Sequence, residues 1–173
     1  MALRALIAVT VLAALCTTSP SIAGGQYVAP NAPKDTPEEA RGTAEIEALR
    51  AALKPAMETA RRTYPDARDR FLRGLPARHS FFVVTRLPVA PNGVEQVFVG
   101  VDRIAGGNIS GRIWSDIQRA RGYKKGDPYS LPESEVIDWL ITRPDGSEEA
   151  NYVGKAIDKL QADRLQRQPS RRP

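Results

Sequence analysis

SFFVVTRLPVAPNGVEQVFVGV, residues 80–101, is the stretch that decides the fold. Two runs rich in aromatic and β-branched residues flank Pro91-Asn92-Gly93, a combination that reads as strand, tight turn and strand. In the second run Val97, Val99 and Val101 fall at alternate positions and so lie on one face of the strand, toward a core. A hairpin this apolar needs further strands and a covering layer before it is stable.

Working toward the C-terminus, Gly106-Gly107-Asn108 marks the next turn and Ile109–Trp114 a third strand. Gly126-Asp127-Pro128 turns into Tyr129-Ser130-Leu131, and Val136–Ile141 reads as a last buried strand ending at Pro144-Asp145-Gly146. After Asn151, the positions Val153, Ala156, Ile157 and Leu160 have helical spacing. Toward the N-terminus, Thr36-Pro37-Glu38-Glu39 has the form of a helix start. A helix is expected from there through Met57, bent or divided at Pro55, with a second, shorter one from Pro65 to about Arg73 closed by Gly74. The class is therefore α+β, with N-terminal helices packed on a bent antiparallel sheet of about five strands and a short C-terminal helix. The connections are too short for parallel crossovers.

The chain start has the pattern of an export signal. Arg4 precedes Ala5–Cys16, which carries no charge, and Ser21-Ile22-Ala23 places small residues at a cleavage site. Twelve residues cannot span a bilayer core, which needs about 20, and Leu15 before Cys16 is too large for lipid attachment. Cleavage after Ala23 leaves 173 − 23 = 150 residues, a size suited to one domain. Residues 24–36 read as a flexible lead-in, 37–165 as a single domain and 166–173 as a disordered basic tail. Cys16 leaves with the signal, so the mature chain has no disulfide and no thiol nucleophile. No other apolar run approaches spanning length, which makes the expected product soluble and periplasmic or secreted.

Removing Arg4 takes the net charge from +5 to +4, unevenly spread. Residues 61–78 hold six arginines against Asp66 and Asp69, and 112–127 hold Arg112, Arg119, Arg121, Lys124 and Lys125 against Asp116 and Asp127. Residues 132–151 hold six carboxylates against Arg143 alone. An exported basic protein seldom meets nucleic acid, so anionic headgroups, cell-wall polymers or an acidic protein are the expected partners. The acidic block facing the basic ones within the fold is the competing expectation.

Catalytic patterns are scarce. His79 is the only histidine, the nucleophile elbow Gly-x-Ser-x-Gly and the Ser-x-x-Lys pair are absent, and no cofactor or metal motif occurs. Gly106–Gly111 lacks the Lys-Ser/Thr of a phosphate loop and is expected to be a hairpin turn. Paired carboxylates remain. Asp138, inside the apolar run VIDWLI, could serve as an acid/base residue with Glu133 or Glu135 as neighbours. The alternative is that Asp138 accepts backbone hydrogen bonds at a strand entry. Folding does not account for Arg119, Arg121, Tyr123, Lys124 and Lys125, which with Trp114 form a candidate contact surface for a carboxylate- or phosphate-bearing partner. The leading expectation is a non-enzymatic interaction module. A hydrolase centred on Asp138, and an inhibitor or stability factor for another envelope protein, are the alternatives.

Gly122, Gly126-Asp127, Ile137-Asp138-Trp139, Asp145-Gly146 and Asn151–Lys155 (NYVGK) carry a resemblance to the YegJ-like bacterial family of unknown function. The FFVV strand and the VEQVFVGV segment fall in the expected order, and the resemblance covers about residues 45–160. It implies an α+β domain of one sheet with flanking helices, and no activity. One departure is Ala150, where that family tends to carry Gly before the Asn; a need for positive φ there would alter the turn.

Overall fold

The computed structural model describes residues 43–167. The expected helix start at Thr36, the lead-in, the signal segment and residues 168–173 lie outside that range. The order is α1 (Thr43–Arg73), β1 (Ser80–Val89), β2 (Gly93–Ala105), β3 (Asn108–Ile113), β4 (Pro128–Pro132), a 3-10 turn (Glu133–Glu135), β5 (Asp138–Thr142), β6 (Glu148–Ala150) and α2 (Tyr152–Arg167). The strands form one antiparallel sheet in the order β4-β3-β2-β1-β5-β6.

Two expectations need correction. α1 is one helix of 31 residues with Pro55 and Pro65 inside it. Both prolines sit on its exposed side, while Leu53, Met57, Ala60, Tyr64, Ala67 and Phe71 form a stripe at 3–4 residue spacing that is buried or half-buried. An interior proline costs about 3 kcal/mol, and a fully covered large apolar side chain is worth roughly 1.5–3 kcal/mol. Covering Leu53 fully and Met57, Tyr64 and Phe71 in part gives a gain of the same order as the two prolines cost, and the helix stays continuous. The end is as expected, with Gly74 at φ 96° donating to the Phe71 carbonyl.

The sheet also has six strands rather than about five. Glu148, Glu149 and Ala150 have no strand preference of their own; they are extended because they pair with Thr142, Ile141 and Leu140. The remaining turns fall where expected, and Val97, Val99 and Val101 all enter the main core. That core lies between α1 and the face carrying Phe81, Val83, Leu87, Trp139 and Ile141. A smaller cluster of Phe82, Val84, Phe98, Ile137 and Leu140 occupies the alternate positions, with Trp114 and Met57 against it.

The sheet cannot be flat. Strand β4 lies four places from β5, about 19 Å at the usual strand spacing. Only residues 133–137 connect them, three of them in a 3-10 turn, a reach of about 16 Å. Along this crossing the Glu133 N–H bonds the Gly107 carbonyl at 2.8 Å and the Ile137 N–H bonds the Val84 carbonyl at 2.9 Å. The tip of the β2–β3 hairpin must therefore curl toward β1.

Two features of that hairpin permit the curl. The register slips between Val101 and Arg103, so the inward position passes from Val101 to Ile104 across the exposed Asp102 and Arg103. Opposite it, a Cβ on Gly111 would overlap the Gly100 carbonyl oxygen. Gly111→Ala should cost about 3 kcal/mol in urea unfolding, the upper part of the usual overpacking range. Gly107→Ala, at φ 76° with open space around it, should cost about 1–2 kcal/mol. Equal losses would mean that the bend is not set at Gly111.

Candidate functional site

Between β3 and β4 the chain makes a 14-residue loop, 114–127, that contains every basic candidate. It is held at both ends and in the middle. The Trp114 N–H bonds the Phe98 carbonyl at 2.7 Å, and the Ser115 hydroxyl accepts the Phe98 N–H at 2.9 Å. At the far end the Ile113 N–H bonds the Asp127 carbonyl, the Gly126 N–H bonds the Ile113 carbonyl, and the Asp127 carboxylate accepts the Lys124 N–H at 3.0 Å. Gly122 and Gly126, at φ 85° and 89°, supply the turns.

The central clamp is Glu95 of β2. Its carboxylate accepts three consecutive backbone N–H groups, Gln118 at 2.6 Å, Arg119 at 2.9 Å and Ala120 at 2.7 Å. Partial burial opposes ionisation of Glu95, but these three bonds and the Arg119 charge outweigh it and hold the carboxyl below its usual range. Ala120 is buried and Ile117 packs on the main core, so the loop is seated rather than loose.

The six candidates divide into two groups. Arg119, Arg121 and Lys124 are exposed, and no side-chain hydrogen bond or ion pair joins them to another described residue. Lys125 approaches Asp116 at 3.3 Å and lies 5.5 Å from the Trp114 ring centre. Trp114 itself is half-buried, edge-on to Phe82 at 6.0 Å, and Tyr123 is half-buried, edge-on to Tyr129 at 6.0 Å. The aromatics belong to the wall of the fold and the three cations project from it.

The acidic block is occupied elsewhere. Glu133 accepts the Tyr64 hydroxyl and the Arg68 Nε, each at 2.8 Å, across from α1. Burial and this bond push the Tyr64 phenol well above its ordinary range. Beside that contact is a shallow pocket of about 220 Å³, bordered by Arg61, Tyr64, Glu133 and Ile137. Glu149 accepts Arg70 at 2.6 Å and Arg143 at 3.2 Å. These pairs engage Arg68, Arg70 and Arg143, not the cations of the loop.

Asp138 sits at the first position of β5, fully buried. One oxygen accepts its neighbour Trp139's N–H at 2.8 Å, and the other accepts the Val153 N–H at 2.6 Å in the first turn of α2. The Trp139 bond is of the kind expected at a strand entry; the Val153 bond, which caps α2 from a different strand, was not expected, and Asp138 presents no oxygen to solvent. Glu133 is engaged by α1, Glu135 is exposed, and Asp138 does not border the pocket beside Glu133. His79 is half-buried in the turn before β1, with Nδ1 3.2 Å from the Ala77 carbonyl oxygen. Among the described residues no three His, Cys, Asp or Glu side chains form a metal-binding group, and no helix is long and apolar enough to cross a membrane.

The NYVGK segment also has a structural purpose. Ala150 and Asn151 both have left-handed φ, 62° and 56°. The departure from glycine thus falls on a position that does take positive φ, and the turn keeps that conformation with alanine. Asn151 tolerates it by type, a Cβ on Gly154 would overlap the Asn151 side chain, and Lys155 Nζ donates to the Ala150 carbonyl at 2.6 Å. Residues 47–166 match the family model described as "Uncharacterized protein conserved in bacteria (DUF2314)". The chain belongs to this family. The DUF2314 match runs from the first turns of α1 almost to the end of α2, and so includes both the basic loop and the Asp138 cap. No curated protein and no solved structure matches the chain. Glu95, Tyr64 and Arg68 were not legible as site residues, because nothing near them in sequence distinguishes them from ordinary exposed positions.

Burial is the largest influence on Asp138 and raises its pKa from 3.8 to about 6, against the pull of the backbone N–H groups and Lys155. The native state therefore holds this proton to higher pH than the unfolded chain. The contribution to stability is fully present below pH 3.8 and is lost as pH rises through 6. Asp138→Asn lacks that slope. The stability of the parent relative to Asp138→Asn should fall by about 2 kcal/mol between pH 4 and 7, measured by urea unfolding. A constant or widening difference would show that burial does not govern this carboxyl.

Proposed function

We propose that this DUF2314 protein is an exported, non-enzymatic interaction module. In this reading the signal segment is cleaved after Ala23, and the loop 114–127 contacts an anionic component of the cell envelope. The observation that supports it is the separation of charge within the fold. Glu133 and Glu149 of the acidic block pair with Arg68 and Arg70 of α1 and with Arg143, while Arg119, Arg121 and Lys124 remain exposed on a loop whose backbone is clamped by Glu95. Because Glu95 uses main-chain N–H groups, the guanidinium of Arg119 is left available to a partner.

A rigid display of three cations suits phosphate or carboxylate groups, since little side-chain or loop ordering is lost on contact. Such binding is electrostatic and must weaken with salt. Each cation at an anionic surface is worth about 1 kcal/mol, so the double reversal Arg121→Glu/Lys124→Glu should weaken association about 30-fold or more at low salt. It should also flatten the salt dependence and leave the unfolding midpoint nearly unchanged. The measurement is crosslinking of residues 24–173 in the native envelope at low and high salt, with the captured partner then titrated against parent and variant. Equal affinity of the two proteins would end the proposal.

A further inference from the structure

The geometry points to the amides of Gln118, Arg119 and Ala120 as an anion-binding site, occupied here by the chain's own Glu95 and open to exchange with a phosphate group of a partner. This deepens the basic-loop reading and rests on it for the partner, though the site itself can be tested alone.

Three successive N–H groups converge on one carboxylate at 2.6, 2.9 and 2.7 Å. Consecutive backbone amides arranged this way form a concave nest whose selectivity is for an oxyanion rather than for a particular side chain. Glu95 therefore acts as an internal ligand. Its placement favours exchange, because it lies two residues past the start of β2, is only half-buried, and follows the half-exposed Val94. The surroundings favour a more highly charged occupant. Arg119 contributes an amide and an exposed guanidinium, and Arg121 and Lys124 follow within five residues, all without side-chain partners among the described residues. A phosphate monoester, with more charge and three acceptor oxygens, can take the amides and hydrogen-bond the guanidinium groups together, whereas the two Glu95 oxygens accept the three amides and no guanidinium hydrogen bond. Release of Glu95 would at the same time free its tie between the loop and β2.

The test is an amide-resolved NMR titration of the full chain with inorganic phosphate at constant ionic strength. It compares the parent with Glu95→Ala and Glu95→Gln. The amides of residues 118–120 should shift saturably, with Glu95→Ala binding about tenfold tighter than the parent and Glu95→Gln, which keeps one acceptor oxygen, in between. Vesicles of neutral lipid with and without phosphatidic acid then separate a headgroup ligand from free phosphate. If these amides do not move in either variant, or saturate at the parent's concentration, the site is refuted. That result, alongside partner loss in Arg121→Glu/Lys124→Glu, would overturn the nest and leave the surface reading standing. Phosphate binding at the nest with no effect of the double reversal on the partner would do the opposite.

Discussion

Five residues carry the chain from one edge strand of the sheet to a strand four places away, and most of the architecture follows from that shortage of length. The sheet has to curl, the slipped register at Val101/Arg103 and the side-chain-free Gly111 let it do so, and the curled sheet with α1 closes around one core. The crossing cannot be an idle connection. It passes under α1, where Glu133 is met by Tyr64 and Arg68, and it delivers Val136 and Ile137 into the two hydrophobic clusters. A carboxylate that in sequence looks like surface charge is in this way spent on holding a helix to a strand connection.

Asp138 shows the same economy in the second half of the domain. Helix α2 begins directly after two left-handed residues, a conformation that leaves its first N–H groups without a local cap. The cap comes from β5 instead, through a buried carboxylate, while Lys155 reaches back to the strained segment. A buried carboxylate with a raised pKa resembles an acid catalyst in its electrostatics alone. In its geometry it is a helix cap, because each oxygen is directed at a backbone donor and none at a cavity. Trp139, next in sequence, completes the joint from the opposite face, with its indole N–H on the Thr63 hydroxyl at 3.0 Å and Arg70 over its ring.

With the acidic block used in this way, the basic loop is left with a charge that the fold does not neutralise. The loop is rigid for reasons unrelated to that charge: its backbone is satisfied by Glu95, Ser115 and Asp127. Rigidity and unneutralised charge together distinguish it from a merely solvated basic surface, whose side chains and backbone would both move. The same clamp supplies a candidate anion site, since whatever holds Glu95 would also hold another oxyanion.

Local patterns in this chain determined the hairpins, the turn positions, the inward face of β2 and the end of α1, because each depends on residues adjacent in sequence: alternation in VEQVFVGV, Gly106-Gly107, and Gly74 after Arg73. Composition also marked the loop cations as candidates and Asp138 as an acid or an acceptor of backbone hydrogen bonds. Local rules misjudged Pro55 and Pro65, where helix preference lost to a buried stripe that only a packed sheet supplies. They missed β6, which is a strand through its partner alone. The bond from Asp138 to the start of α2, the pairing of Glu133 and Glu149 with α1, and the clamp by Glu95 were decided by tertiary structure. Those contacts join residues 15 to 79 positions apart, and a charge carries no mark in the sequence of which distant donor the folded chain will bring to it.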